Sequence, residues 1–114
     1  MPRHDPSVRL RHMLDHAREA RSLAQNRSRA DLETDRLLNL ALMRLLEIIG
    51  EAASRVPSDE RSRYPEIPWP QIIGMRNRLI HGYDLVDFDI LWQTLMEDLP
   101  PLIATLERIL SPEG

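Results

Sequence analysis

Arg76, Asn77, His81 and Tyr83 have residue types and spacing that could carry a reaction. They lie in the run Met75-Arg76-Asn77-Arg78-Leu79-Ile80-His81-Gly82-Tyr83, which holds the only histidine outside the first quarter of the chain. An imidazole titrates near neutrality, so it can take a proton or give one. A guanidinium stays charged and grips phosphate through two parallel donors. Together they suit cleavage of a phosphodiester beside a 2′-hydroxyl. One group deprotonates the 2′-oxygen, another protonates the leaving 5′-oxygen, and a fixed cation stabilises the charge on phosphorus. That chemistry needs no metal, and its need for a 2′-hydroxyl restricts it to RNA.

Periodicity predicts a helix from Ile72 to His81, stopped by Gly82 at C′. Ile72, Met75 and Leu79 then form a core-facing stripe. Asn77 and His81 fall four residues apart, so the amide can orient the imidazole. Gly74, one turn earlier, leaves room for another backbone to approach. Arg76 and His81 are about 140° apart on such a helix. A target between two copies of the helix fits this better than a target on one, so a two-fold composite of two arginines and two histidines is expected. The same residues also suit ordinary work, the arginine solvated or ion-paired and the histidine capping the last carbonyls.

The chain has 114 residues, the size of one small domain. With aromatics at 4%, leucine, isoleucine and alanine must fill the core. There is no cysteine, which excludes disulfides and thiolate metal sites. A polar N-terminus and the lack of any long apolar run predict a soluble cytoplasmic protein with no membrane span. The net charge of −3 does not by itself point to nucleic acid. Its distribution is uneven: residues 1–30 hold seven arginines against three acids, and residues 64–114 hold three against eight. A basic first helix can attract phosphates, and a solvated arginine face explains the bias equally well.

Residues 1–6, with Pro2 and Pro6, read as a loose end. Leu10, Met13, Leu14, Ala17, Ala20 and Ala24 recur at helical spacing, predicting a helix over about 7–26. His12 and His16 sit one turn apart on it, a pair that can bind a metal, but no third ligand is apparent. Asn26-Arg27-Ser28 reads as a turn. A long helix follows, capped by Asp31 and running to about Arg55. Its stripe is Leu38, Ala41, Leu42, Leu45, Ile49 and Ala52, widened by Leu37, Leu40, Ile48 and Val56. That breadth predicts a central helix touching neighbours and a second subunit. Gly50 costs about 1 kcal/mol in a helix relative to alanine, which predicts a close helix contact there. Glu47 and Glu51, one turn apart, can orient Arg76 or His81, or simply be solvated. Prolines 57, 65, 68 and 70 forbid a continuous helix in the connector, where Ser58-Asp59-Glu60 can start one turn. Pro70 is expected near N1 of the motif helix, with Trp69 anchored on the core. Asp87 is the expected N-cap of the last helix, which Pro100 and Pro101 should kink or break. The chain therefore reads as all-α, with no strand pattern and no glycine-rich phosphate loop.

Four stretches also carry a family resemblance: Arg76-x4-His81-x-Tyr83, Gly50-Glu51-Ala52, Ile67-Pro68-Trp69, and Asp98-Leu99-Pro100-Pro101-Leu102. In this order, across about residues 37–106, they resemble the HepT-like branch of the HEPN ribonuclease toxins. The resemblance implies a bundle of four to five helices, a single domain over 1–114 with a core at 7–110. It implies a homodimer that places its motifs in a shared cleft. It further implies the toxin of a type VII-like toxin–antitoxin pair, a metal-independent endoribonuclease with RNA as substrate and no cofactor. Arg76 and His81 would be catalytic, with Asn77 and Glu51 in support. The cognate antitoxin would be a minimal nucleotidyltransferase that AMPylates Tyr83, setting negative charge and bulk where substrate phosphate should sit. Two readings compete with this. One is a non-catalytic HEPN subunit that dimerises and presents a surface to a nucleotidyltransferase. The other is a metal-dependent hydrolase, for which the chain offers no credible ligand cluster.

Overall fold

The computed structural model describes residues 6–81 and 85–111. Helix α1 (Pro6–Ala24) leads through a turn to α2 (Arg29–Thr34) and the long α3 (Arg36–Ser54). A short α4 (Ser58–Ser62) lies in the proline-rich connector. The motif region forms α5 (Trp69–Ile73), α6 (Met75–Leu79) and a two-residue strand β1 (Ile80–His81). Strand β2 (Leu85–Val86) pairs antiparallel with β1. Helix α7 (Phe88–Gln93), a π turn (Thr94–Asp98) and α8 (Leu99–Leu110) then follow without interruption. The all-α reading holds: helices make the bundle, and the strands are a two-residue antiparallel clasp.

Helix α3 is the centre. It packs on α1 on one side and on α5 and α6 on another, while α1 also meets α8. Leu42, Leu46, Ile49 and Ala53 of α3 are buried with Met13, Ala17 and Ala20 of α1 and with Leu95, Leu99 and Leu106 of the last helix. The predicted stripe errs at Ala41, which is exposed, because the burial arc runs through Leu38, Leu42, Leu45, Leu46 and Ile49. The close approach expected at Gly50 is present. A Cβ there would stand 2.9 Å from the Ile72 carbonyl oxygen, so α5 lies against bare backbone of α3. Gly74 plays a different part from the one expected. Its would-be Cβ meets Pro70 O at 3.2 Å, so the crowding is with its own turn and not with another element.

Several boundaries differ from expectation, each for a local reason. Asn26 takes a left-handed turn conformation (φ 63°), and Ser28, not Asp31, is the N-cap of α2. Asp31 sits at N3 and closes a capping box, its carboxylate accepting from Ser28 N at 2.8 Å. The helix expected to run unbroken to Arg55 is interrupted at Asp35, which is extended and caps α3 by accepting from Leu38 N at 3.0 Å. Buried Asn39 donates to Leu32 O at 2.9 Å, satisfying a carbonyl in the last turn of α2. Trp69 is buried as an anchor, its indole N–H donating to Tyr64 O at 3.1 Å. It is also the first residue of α5, so Pro70 stands one place later than N1.

The double proline does not break the last helix. Leu99 N–H reaches back five residues to Thr94 O, and Pro100 has no N–H to give. Leu95 O is left outside the regular ladder, and Arg21 of α1 donates to it at 3.0 Å. Residues 1–5, expected to be loose, lie outside the described residues.

The largest correction concerns the motif helix. It does not run from Ile72 to His81. It breaks at Gly74 and ends at Leu79, and Ile80 is extended (φ −111°, ψ 123°). Leu79 O accepts from Asp87 N at 2.8 Å, and Ile80 pairs with Val86 and His81 with Leu85. The returning chain supplies partners that a further helical turn would forfeit. The expected stop, Gly82, lies outside the described residues.

Candidate active site

Helix α6 is one short turn whose register is fixed by burial. Met75 and Leu79 point into the core, which leaves Arg76, Asn77 and Arg78 exposed. Arg76 and Arg78 leave the helix on different sides. Arg78 donates through Nη2 to Gln71 O at 3.1 Å and lines a cavity of about 360 Å³ between α5–α6 and the last helix. Arg76 turns toward α3, where its Nε lies 3.2 Å from Glu47 Oε2. The other carboxylate oxygen of Glu47 accepts from Arg44 Nη1 at 2.9 Å. Glu47 thus bridges two guanidinium groups and leaves the cluster with a net charge of about +1.

This cluster borders a smaller cavity of about 210 Å³, lined by Leu40, Met43, Arg44, Glu47, Arg76 and Ile80. The walls are apolar on the side of Leu40, Met43 and Ile80 and charged on the other. Arg44 and Arg76 keep 68% and 57% of their side-chain surface exposed, so both retain donors for a ligand. Exposed ion pairs of this kind contribute about 0–1 kcal/mol to stability, so their consequence here is placement.

The strand clasp fixes the backbone of His81. His81 follows Ile80, whose side chain lines the cavity, so its backbone is fixed within one residue of that wall. Since His81 is in β1 and not on a helix, the i,i+4 relation between Asn77 and His81 and the helical angle between Arg76 and His81 do not apply. The His81 side chain and all of Tyr83 lie outside the described residues. Asn77 is exposed, and its backbone N–H donates to Gly74 O at 3.1 Å.

Of the two glutamates, Glu47 is the one brought to Arg76. Glu51 pairs instead with Arg55 on its own helix at 3.3 Å. Arg44 is the member that sequence reasoning passed over. The available signal was its position three residues before Glu47 on one helix face. His12 and His16 make a local contact, with His16 Nδ1 lying 2.6 Å from His12 O. Among the described residues no group of three histidine, aspartate or glutamate side chains is placed to hold a metal ion.

Next to this cluster the outer face of α3 is apolar. Leu37 is 80% exposed and Leu40 49%, and Leu85 of β2, opposite His81, is 69% exposed. No helix among the described residues is long and apolar enough to cross a membrane.

The described residues form an all-α bundle, the architecture expected of a HEPN-type protein. The family profile described as ribonuclease HepT-like matches residues 13–109, and the chain belongs to that family. It is 43% identical over 79 residues to a protein of Thermococcus cleftensis named "Probable ribonuclease HepT", covering 69% of this chain and 72% of that one. It is 35% identical over 108 residues to "Putative RNase TTE0752" of Caldanaerobacter subterraneus subsp. tengcongensis, covering 95% of this chain and 96% of the relative. No solved structure gives a significant match.

Proposed function

We propose that this protein is a metal-independent endoribonuclease, the toxin of a toxin–antitoxin pair, acting in the cytoplasm as a homodimer. The observation that carries the reading is the coincidence of family and site. The family match spans Arg76-x4-His81-x-Tyr83, and Arg76 stands exposed on a cavity wall with its guanidinium held by Glu47. The exposed Leu37, Leu40 and Leu85 support a second copy docking beside this cavity, so that two Arg76 and two His81 residues share one cleft. The whole chain, 1–114, acts as one domain.

In the reaction, one His81 removes the proton of a 2′-hydroxyl. The 2′-oxygen forms a bond to phosphorus, and the bond from phosphorus to the 5′-oxygen breaks. A second acid, His81 of the other copy, returns a proton to that oxygen. Arg76 holds the non-bridging oxygens as charge builds on them. The products are a 2′,3′-cyclic phosphate and a 5′-hydroxyl. Asn77 supports the motif from the exposed face of α6, and Glu51 extends the charged face of α3 by one turn. A minimal nucleotidyltransferase antitoxin silences the enzyme by transferring AMP from ATP to the Tyr83 hydroxyl, with loss of its proton and release of pyrophosphate. The adduct places a phosphodiester charge two residues from His81.

The test uses chain produced without a partner, with its intact mass confirming an unmodified Tyr83. Total cellular RNA is incubated with it in EDTA. Wild type should leave 2′,3′-cyclic phosphate ends, and Arg76→Ala and His81→Ala should lose cleavage by at least about a hundredfold, the scale of a general acid–base or oxyanion contribution. Intact RNA after incubation with a folded, unmodified dimer would overturn the catalytic reading in favour of a non-catalytic HEPN subunit.

A further inference from the structure

Arg44 is the residue of the site that neither the motif nor the family name assigns. It stands one turn before Glu47 on α3 and donates to one oxygen of the carboxylate whose other oxygen faces Arg76. A carboxylate carries one negative charge, so it cannot neutralise two guanidinium groups. The excess positive charge sits on the wall of the cavity of about 210 Å³, in a chain whose net charge is −3. Arg44 uses Nη1 on Glu47 and keeps 68% of its side-chain surface exposed, which leaves further donors for another acceptor. An exposed i,i+3 pair contributes little stability, so fold alone gives no strong reason for the arrangement.

We propose that Arg44 is a second phosphate-binding residue of this site, gripping an RNA phosphate beside the one cleaved, and that Glu47 is the positioning residue that holds Arg76. The proposal deepens the ribonuclease reading above and rests on it for the identity of the ligand. Arg44 acts on binding, and Glu47 acts on rate through Arg76.

Binding and cleavage are measured separately, so that the two readings can fail separately. The binding probe is a fluorescein-labelled, mixed-sequence RNA of about twenty nucleotides with every 2′-hydroxyl methylated, titrated between about 50 and 200 mM KCl. Arg44→Ala should weaken binding about tenfold, the equivalent of one charge-assisted contact. It should also flatten the dependence of log affinity on log salt by about 0.7, the contribution of one single-strand phosphate contact. Arg44→Lys should keep the wild-type slope. Arg63→Ala, which removes an exposed arginine paired with Glu60 on α4, should change neither. On cleavable RNA, Arg44→Ala should raise KM and leave kcat near wild type. Glu47→Gln should lower kcat about tenfold or more without weakening binding or lowering the melting temperature. A wild type that binds and cuts, with Arg44→Ala matching it in affinity and salt slope, overturns the Arg44 proposal and leaves the ribonuclease reading intact. Glu47→Gln with unchanged kcat overturns the positioning role. A wild type that binds with an Arg44-dependent slope but cuts nothing overturns the ribonuclease reading and leaves the phosphate contact standing. A wild type that neither binds nor cuts overturns both.

Discussion

Gly50→Ala separates what a helix prefers from what this bundle requires. In an isolated helix the substitution stabilises by about 1 kcal/mol, because alanine loses less backbone entropy than glycine. In this protein the added methyl would stand 2.9 Å from Ile72 O and 3.6 Å from Ile73 O. The nearer atom is backbone at the end of α5, so no flexible side chain can swing away. Restoring ordinary contact requires α3 and α5 to separate by about half an ångström. Overpacking of this kind costs about 1–3 kcal/mol, which outweighs the propensity gain and leaves a net loss of about 1 kcal/mol. In a chain of this size that lowers Tm by about 4 °C. Melting should be followed at one fixed protein concentration, because the stability of the homodimer proposed above would depend on it. The same displacement moves the run that carries Arg76 away from the helix that carries Glu47, so the RNA cleavage proposed above should fall as well. A Gly50→Ala protein that melts above wild type would refute the reasoning, since helix propensity would then be the larger effect.

Three further outcomes follow from the same packing. Arg21→Met should destabilise by about 1–2 kcal/mol, since Leu95 O loses its donor beside the π turn; urea unfolding with an unchanged m-value checks it. Asn39→Leu should cost about 1–3 kcal/mol by leaving Leu32 O without its buried donor, and amide exchange in α2 should quicken more than in α8. The Glu66 carboxyl is held below its usual range, chiefly by the hydrogen bond from Arg108 and then by its own backbone N–H. Its folded pKa is lower than its unfolded one, so the stabilisation is present above the ordinary glutamate value of about 4.3 and is lost as pH falls through the folded value. The difference in Tm between wild type and Glu66→Gln should therefore be visible at neutral pH and shrink on acidification below about pH 4.

The elements that were legible in the sequence are those that local chemistry decides. The apolar spacing of Leu10, Met13, Leu14 and Ala17 places α1 without knowledge of its partner. Asp87 is legible as a cap because a carboxylate before an apolar run satisfies the first turn's donors, and it accepts from Ile90 N at 3.0 Å. Gly50 was read as a close approach because nothing local justifies a glycine inside a helix. The break at Asp35 is hidden in the sequence because the apolar pattern runs through it, and only the cap geometry and the buried Asn39 contact show that α2 and α3 are separate. At Pro100 and Pro101 the missing donors were legible. The donor from α1 that makes their absence tolerable was not, because Arg21 lies 74 residues from Leu95.

By itself, then, the sequence determined the helical class, the family and the cap at Asp87, because these depend on periodicity and on short-range spacing. Tertiary structure alone decided where the motif helix stops and which acid meets Arg76. Residues 72–81 have a sound helical pattern, yet the chain leaves the helix at Leu79 because residues 85–87 return to pair with Ile80 and His81 and to donate to Leu79 O. Glu47 and Glu51 are equivalent by spacing. The packing of α5 against Gly50 of α3 sets which turn of α3 faces α6, and that turn carries Glu47 and Arg44. A helix terminus and an ion pair between distant residues are both settled by partners that no local window contains.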